Sequence, residues 1–159
     1  MVKGCLDYIQ FLPFAAEHLL LYFKWAEKEH VKSEWFRDGY KPVYAIIEKL
    51  KEGSDAFPFI IQVSDCQVGF IQYYYFTEDT VGFDIFIGEE AYINKGYGTE
   101  IVKSFAKMLF AIDGVNKIIV DPFITNKQAQ RCYEKAGFTV SHKEIDKIGT
   151  EVIIMELKK

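Results

Sequence analysis

Two carboxylates stand where plain packing would not put them. Asp84 interrupts the apolar run Val81-Gly82-Phe83-Asp84-Ile85-Phe86-Ile87. Alternation along a strand points it opposite to Phe83 and Ile85, on the face of Phe86. A carboxylate there costs free energy unless it is paired or used. Desolvation lifts its pKa towards the range of a general base. An aspartate at a strand edge, reaching water or an arginine, is the plainer alternative. Asp121 precedes Pro122, and Asp-Pro is a common turn opener. The same position ends the strand pattern Lys117 to Val120, and ligands gather at such strand ends in open sheets.

A second constellation lies between these two. Ile93-Asn94-Lys95-Gly96-Tyr97-Gly98-Thr99 leaves a strand and opens a helix. Glycines let backbone N–H groups approach an anion closely, and a helix N-terminus adds partial positive charge. The loop lacks the GKS or GKT of a Walker motif and the third glycine of a dinucleotide fingerprint. It is either a pyrophosphate cradle or a tight turn without a ligand. Downstream, Asn126, Ala129, Tyr133 and Gly137-Phe138 follow a helical spacing. Packing alone accounts for each: Asn126 as a cap, Ala129 and Tyr133 against a sheet, Gly137 as a stop. It does not account for their following a glycine loop one strand earlier.

The elements that position these residues read as β-α-α-β-β-β-α-β-α-β-β. Tyr8 to Pro13 is a strand. Ala15 to Lys28 is a helix with Leu19, Leu20, Phe23 and Trp25 among its apolar positions. His30 to Gly39 is a loop or short helix carrying Trp35 and Phe36. Pro42 opens a helix to about Lys51, with Val43, Ile46, Ile47 and Leu50 on one side. Phe57 to Ser64, Val68 to Thr77 and Thr80 to Ile87 form a meander, with a turn at Glu78-Asp79. Alternation puts half of the aromatic run Tyr73 to Phe76 in the core and the other half there or lining an acceptor cleft, the core being the first expectation. From Gly96 a helix carries the stripe Ile101, Val102, Phe105, Met108, Leu109 and Ile112, ended by Gly114. Lys117 to Val120 is a strand, and Thr125 to Ala136 a helix with stripe Ala129, Cys132, Tyr133 and Ala136. Phe138 to Ile145 and Glu151 to Leu157 close the chain as strands. Strand, helix, strand around Gly98 to Ile112 implies one parallel pair in an otherwise antiparallel sheet.

Bulk properties narrow the function. A chain of 159 residues, half of them apolar, suits one domain spanning 1–159 with a sizeable core. Its formal charge of -4 argues against nucleic acid and fits a small cationic substrate. The cysteines, Cys5, Cys66 and Cys132, are few, odd in number and far apart, which fits a reducing cytoplasm. No signal peptide opens the chain, and no apolar run approaches the ~20 residues of a membrane span. His18, His30 and His142 have no spacing for a metal, so none is expected. Cys132 reads as packing, and Ser104 lacks a nucleophile elbow.

The glycine loop followed by the Asn126/Tyr133 helix, in this order and spacing, resembles the GNAT superfamily of N-acetyltransferases from about Phe83 to Phe138. The resemblance implies a mixed α/β sheet with splayed central parallel strands, helices on both faces, and acetyl-coenzyme A as acyl donor. It implies pyrophosphate on Ile93 to Thr99, coenzyme contacts at Phe86, Ile87 and Asn126, and Tyr133 serving the leaving thiolate. The chain departs from the family at Ile93, where Arg or Gln is usual, so one side-chain contact to the pyrophosphate is lost.

Gly82-Phe83-Asp84, Asp121-Pro122, Arg131 to Phe138 and His30 to Phe36 narrow the likeness to the aminoglycoside 6'-N-acetyltransferases. That implies Asp84 and Asp121 holding a cationic amino sugar and helping to deprotonate its amine, with Trp35 shaping the acceptor pocket. Trp35 serves equally well as a packing residue. Siderophore-biosynthesis acyltransferases share much of the pattern. A siderophore precursor, a polyamine or a protein amine therefore stands as an alternative acceptor, and a non-catalytic acyl-coenzyme A-binding domain as an alternative class. A monomer or a homodimer is expected.

Overall fold

The structure, a computed structural model, describes residues 8–35 and 42–159, with the side chains of 42–45 left out of that description. Cys5, Phe36 and Val43 therefore carry expectations that lie outside the described residues. The strands are β1 (Ile9–Pro13), β2 (Ala56–Val63), β3 (Cys66–Tyr75), β4 (Thr80–Ile87), β5 (Lys117–Val120), β6 (Thr139–Ile145) and β7 (Glu151–Lys158). The helices are α1 (Leu19–Ala26), α2 (Glu29–Trp35), α3 (Pro42–Leu50), α4 (Tyr97–Phe110) and α5 (Lys127–Lys135). Element order follows the sequence reading except that three helices, not two, precede β2, because the segment from His30 read as a loop or short helix carries α2; short 3-10 turns stand at Ala16–His18 and Glu90–Tyr92.

The strands form one sheet in the order β1-β2-β3-β4-β5-β7-β6. β4 and β5 are parallel, pairing Thr80 with Lys117, Val81 with Ile118 and Gly82 with Ile119. The pairs β1/β2, β2/β3, β5/β7 and β6/β7 are antiparallel. By its contacts the chain divides into two compact units. One holds the described residues up to Tyr74 with Asp84–Lys95, and the other holds Tyr75–Phe83 with Gly96–Lys159.

The first unit is built on an aromatic cluster. Phe14, Tyr22, Trp25, Phe70 and Phe86 are buried together with Val31, Ile46 and Ile60. Their rings meet mostly edge to face, as between Tyr22 and Phe70 at 5.1 Å and Trp25 and Phe86 at 6.2 Å, the arrangement that ring quadrupoles favour. The buried face of α1 is Tyr22, Trp25 and Ala26, whereas Leu20 is 85% exposed. Of the apolar positions read from the sequence, Trp25 is therefore buried and Leu20 is not. A 3-10 turn, Ala16–His18, precedes the helix. In α3, Ile46 is fully buried, but Ile47 and Leu50 are partly exposed.

The second unit sets Ile101, Val102, Phe105 and Leu109 of α4 among Val81, Phe83, Ile118, Val120 and Met155, all buried. The exposed turn residue Asp79 fixes where the parallel pair starts. Its carbonyl accepts from the Asn116 and Lys117 N–H groups at 2.9 and 3.2 Å. Its carboxylate accepts from the Thr77 and Thr80 hydroxyls, both at 2.8 Å. These hydroxyls hold its pKa below the ordinary value. At the end of α5, Gly137 is left-handed (φ 103°). Phe138 N–H reaches the Tyr133 carbonyl and Gly137 N–H the Glu134 carbonyl, both at 3.0 Å, a Schellman closure. Among the described residues no helix is long and apolar enough to cross a membrane.

Gly88, just past β4, touches the first unit's core. A Cβ there would lie 2.2 Å from the ring of Trp25, which is fully buried and cannot yield. Gly88→Ala is expected to destabilise the protein by about 1–3 kcal/mol, measured as a lower urea midpoint; an unchanged midpoint would contradict this packing.

Candidate active site

Asp84 sits in the second half of β4, half-buried. One of its oxygens accepts a hydrogen bond from the Gln72 amide at 3.0 Å. The Tyr74 side chain also hydrogen-bonds to it, and the Lys49 ammonium lies within electrostatic reach. Burial pushes the carboxyl above its ordinary pKa, and Gln72, Lys49 and Tyr74 offset this only in part. Lys49 shifts the other way: burial lowers its pKa, and the Asp84 charge restores part of it. A carboxylate with a raised pKa, held by two neutral donors and one cation, can accept a proton.

Gln72 and Lys49 escaped the sequence reading, and Tyr74 entered it only as a member of the aromatic run. The signal for Gln72 was present. Gln72 and Asp84 stand six residues to either side of Glu78, so the hairpin places them opposite one another. Tyr74 follows two residues on, along the same face. Tyr73 turns the other way and stacks on Phe57 at 4.6 Å. Tyr75 and Phe76 are 43% and 55% exposed, so the aromatic run is not mainly core. Exposure rises towards the end of β3, of which Tyr75 is the last residue.

Side chains of α2 and its approach hold the end of β4. The Trp35 indole donates to the Ile85 carbonyl at 3.0 Å, and His30 Nε2 to the Ile87 carbonyl at 2.9 Å. The Lys28 ammonium donates to the Gly88 carbonyl at 3.0 Å. Residues two apart in a strand turn their backbone groups to one edge. Trp35 and His30 therefore take the carbonyls along a single edge of β4, and the N–H groups of Ile85 and Ile87 point the same way. Trp35 also packs edge-on against Phe86 at 4.9 Å. Its packing role is visible; His30 carried no local signal for its contact.

Around the glycine loop, Asn94 (φ 59°) and Gly96 (φ 87°) are left-handed, on either side of the exposed Lys95. Gly96 is the N-cap of α4, and no side chain caps that helix. A Cβ on Gly96 would meet no atom within 4 Å, so the backbone there faces open space. First-turn N–H groups without a side-chain cap, entered through an exposed glycine and beside a lysine, fit a diphosphate. Tyr97, Gly98 and Thr99 are half-buried. Ile93 closes the preceding 3-10 turn with its N–H on the Glu90 carbonyl.

On α5, the Asn126 side chain accepts from the Ala129 N–H at 3.1 Å, the expected cap. Tyr133 is 8% exposed and packs edge-on against Phe83 at 6.0 Å. Ala129, Cys132 and Ala136 of the expected stripe are half-buried, while Gln130 is buried. The Gln130 amide donates to the Phe123 and Ile124 carbonyls at 2.9 and 3.0 Å, tying down the segment after β5. Asp121, exposed, begins that segment. The Pro122 carbonyl accepts from Ile153 N–H at 2.9 Å. Burial raises the Cys132 thiol pKa, which suits packing rather than nucleophilic attack. Among the described residues no group of three or more His, Cys, Asp or Glu is placed to hold a metal ion.

Three comparisons bear on this arrangement. The chain is 28% identical over 145 residues to an aminoglycoside N(6')-acetyltransferase type 1 of Klebsiella pneumoniae, covering 80% of this chain and 72% of that protein. Its fold matches that of AAC(6')-Ib in complex with ribostamycin and coenzyme A, with a TM-score of 0.87, 22% identity, and 96% and 94% of the two chains covered. It also matches spermidine N-acetyltransferase from Vibrio cholerae in complex with coenzyme A and spermine, with a TM-score of 0.80, 16% identity, and 94% and 95% covered. The model of the acetyltransferase (GNAT) domain matches residues 15–147, most of the chain, which therefore belongs to that family.

Proposed function

We propose that residues 1–159 act as one cytoplasmic domain, an acetyl-coenzyme A-dependent N-acetyltransferase whose acceptor is the 6'-amine of an aminoglycoside. The observation that carries the reading is the half-buried Asp84, with a raised pKa and flanked by Gln72, Tyr74 and Lys49, in a chain of the GNAT family. The curated relative acts on aminoglycosides, and the acidic balance of the chain suits a cation.

In this reading the backbone of Asn94 to Thr99 and the start of α4 hold the pyrophosphate, with Phe86, Ile87 and Asn126 along the coenzyme. Acetyl-coenzyme A supplies the activated acetyl thioester. Asp84 takes a proton from the acceptor ammonium, leaving a neutral amine able to attack. Asp121 pairs with the acceptor's cationic groups and orients them. Of the two backbone N–H groups expected to serve the developing oxyanion, Gly88 donates to the Val68 carbonyl at 2.8 Å, so the role falls to Ile87. Tyr133 donates its hydroxyl proton to the departing thiolate. Transfer is direct, without an acyl-enzyme.

Lys49 favours a second reading. A resident cation beside Asp84 suits an acceptor with fewer charges than an aminoglycoside, such as a polyamine, a siderophore precursor or a protein amine. Thiol release from acetyl-coenzyme A with each of these amines in parallel decides between the readings.

Asp84→Asn is expected to lower kcat by about 10²–10⁴-fold, with the acceptor KM changing less. Tyr133→Phe should lower kcat about ten- to a thousand-fold at nearly unchanged stability; wild-type turnover would reduce Tyr133 to packing. Gly96→Val should raise the KM for acetyl-coenzyme A. Of two aminoglycosides differing only in a 6'-amine or a 6'-hydroxyl, only the first should be turned over. Equal turnover of both would end the aminoglycoside reading.

Asp84 also predicts a pH signature in stability. A carboxyl whose pKa is higher in the folded than in the unfolded chain penalises the fold once ionised. The penalty is absent below the unfolded value, grows as pH rises, and is complete above the folded value. Asp84→Asn should therefore gain urea stability relative to wild type as pH rises above the ordinary carboxylate value of 3.8. A relative loss over that range would contradict the raised pKa.

A further inference from the structure

Gln72 is 5% exposed. Its amide nitrogen donates to Asp84 at 3.0 Å, while its carbonyl oxygen is buried with no hydrogen-bond partner. Burying an acceptor without a donor costs stability, so its retention calls for a reason. The amide orientation is dictated by charge. An ionised Asp84 is acceptor-only and must face the NH2 end; a protonated Asp84 has an O–H to donate and must face the carbonyl end. The two ends of an amide are nearly the same size, so half a turn about the last side-chain bond exchanges them without extra room. Such a turn is free only if the far end has no partner to lose. A donor fixed on the Gln72 carbonyl would lock the amide in the orientation that serves the ionised state alone.

We propose that Gln72 is a positioning residue that serves Asp84 in both of its charge states, turning its amide over as Asp84 gains and loses the acceptor's proton. The proton leaves the acceptor nitrogen and stays on an Asp84 oxygen. The Gln72 carbonyl accepts a hydrogen bond from it without taking it, and the amide turns back when Asp84 releases the proton to water. The orphaned end is then a requirement of the device, because the same number of bonds is made in each state. The other titratable groups acting on Asp84 among the described residues are Tyr74 from β3 and Lys49 from α3. A tyrosine hydroxyl can also serve either charge state, since it both donates and accepts. An ammonium only donates, so Lys49 favours the ionised state. This inference rests on Asp84 being the base.

The test joins nuclear magnetic resonance to kinetics. The Gln72 side-chain NH2 signals, identified by their absence in Gln72→Met, are followed against pH beside the Asp84 carboxyl carbon. The amide signals should move with the carboxyl titration in wild type and stay still in Asp84→Asn. In Gln72→Met the acid limb of kcat/KM should move up by about one pH unit, because the donor to the ionised form is lost. Its kcat should fall about tenfold, because the acceptor for the protonated form is lost as well. Amide signals that stay still while the carboxyl titrates would overturn the turn; this needs only the wild-type protein, whether or not Gln72→Met folds. Signals that track the carboxyl while Asp84→Asn keeps full activity would support the turn and remove Asp84 as the base. A shifted acid limb with wild-type kcat would leave Gln72 a fixed donor and also overturn the proposal.

Discussion

Everything at this site depends on how β4 satisfies its backbone after its pairing with β5 stops. That pairing covers Thr80 to Gly82, yet the strand runs on to Ile87. Backbone polar groups inside a protein must find partners. Here the carbonyls of Ile85, Ile87 and Gly88 are met by the Trp35 indole, the His30 imidazole and the Lys28 ammonium. Side chains can satisfy a strand edge without closing it, as a further strand would. The N–H groups on that edge can then serve something that is not part of the sheet. The aromatic cluster has a matching role, because Phe86 anchors this part of β4 against Trp25 and Trp35. Gly88 must remain a glycine for Trp25 to lie so close.

Asp84 shows what such a strand costs. It stands between Phe83 and Ile85 in an otherwise apolar run, its carboxyl is raised by burial, and the groups around it offset the penalty only in part. Gln72 adds a second penalty through its unpartnered carbonyl. A design for stability alone would place a valine and a leucine at these two positions. Two unfavourable polar positions facing each other across one hairpin are hard to explain by packing. They are expected where a proton has to be held and released.

Local features of the chain were legible in its sequence. The helix carrying Tyr133 announced its cap at Asn126 and its stop at Gly137, since capping chemistry is encoded within a few residues. The parallel placement of β4 and β5 followed from strand, helix, strand. What escaped depended on phase or on distant pairing. The apolar positions of α1 did not reveal which of them would be buried: Trp25 is, and Leu20 is not. The core was also the first expectation for the aromatic run, yet Tyr75 and Phe76 are exposed, because a strand pattern does not show where along the strand burial fades. His30 and Lys28 meet carbonyls at the end of β4 and just past it, 57 and 60 residues away in the chain, and no periodicity encodes such contacts. Gln72 lies between these cases: hairpin symmetry about Glu78 pointed to it, but a glutamine in a strand attracts less notice than an aspartate.

The same division separates the two halves of the chemistry. A pyrophosphate is recognised by backbone amides and a helix terminus, so a short glycine-rich segment suffices; in the proposed reading Asn94 and Gly96, both left-handed, belong to that segment. The reading tolerates Ile93 because the amides remain when a side-chain contact is gone. In the proposed reading an acceptor amine meets side chains that converge from several elements: Asp84 from β4, with Gln72 and Tyr74 from β3 and Lys49 from α3 acting on it. Of these, Lys49 has most to say about the acceptor. An ammonium already near Asp84 competes with any cation arriving there, and the competition is strongest where burial weakens screening. An acceptor with few charges meets that repulsion once, whereas a polycation must balance each further charge with another carboxylate. The helix that carries Lys49 is therefore where acceptor preference can change without touching the base or the glycine loop.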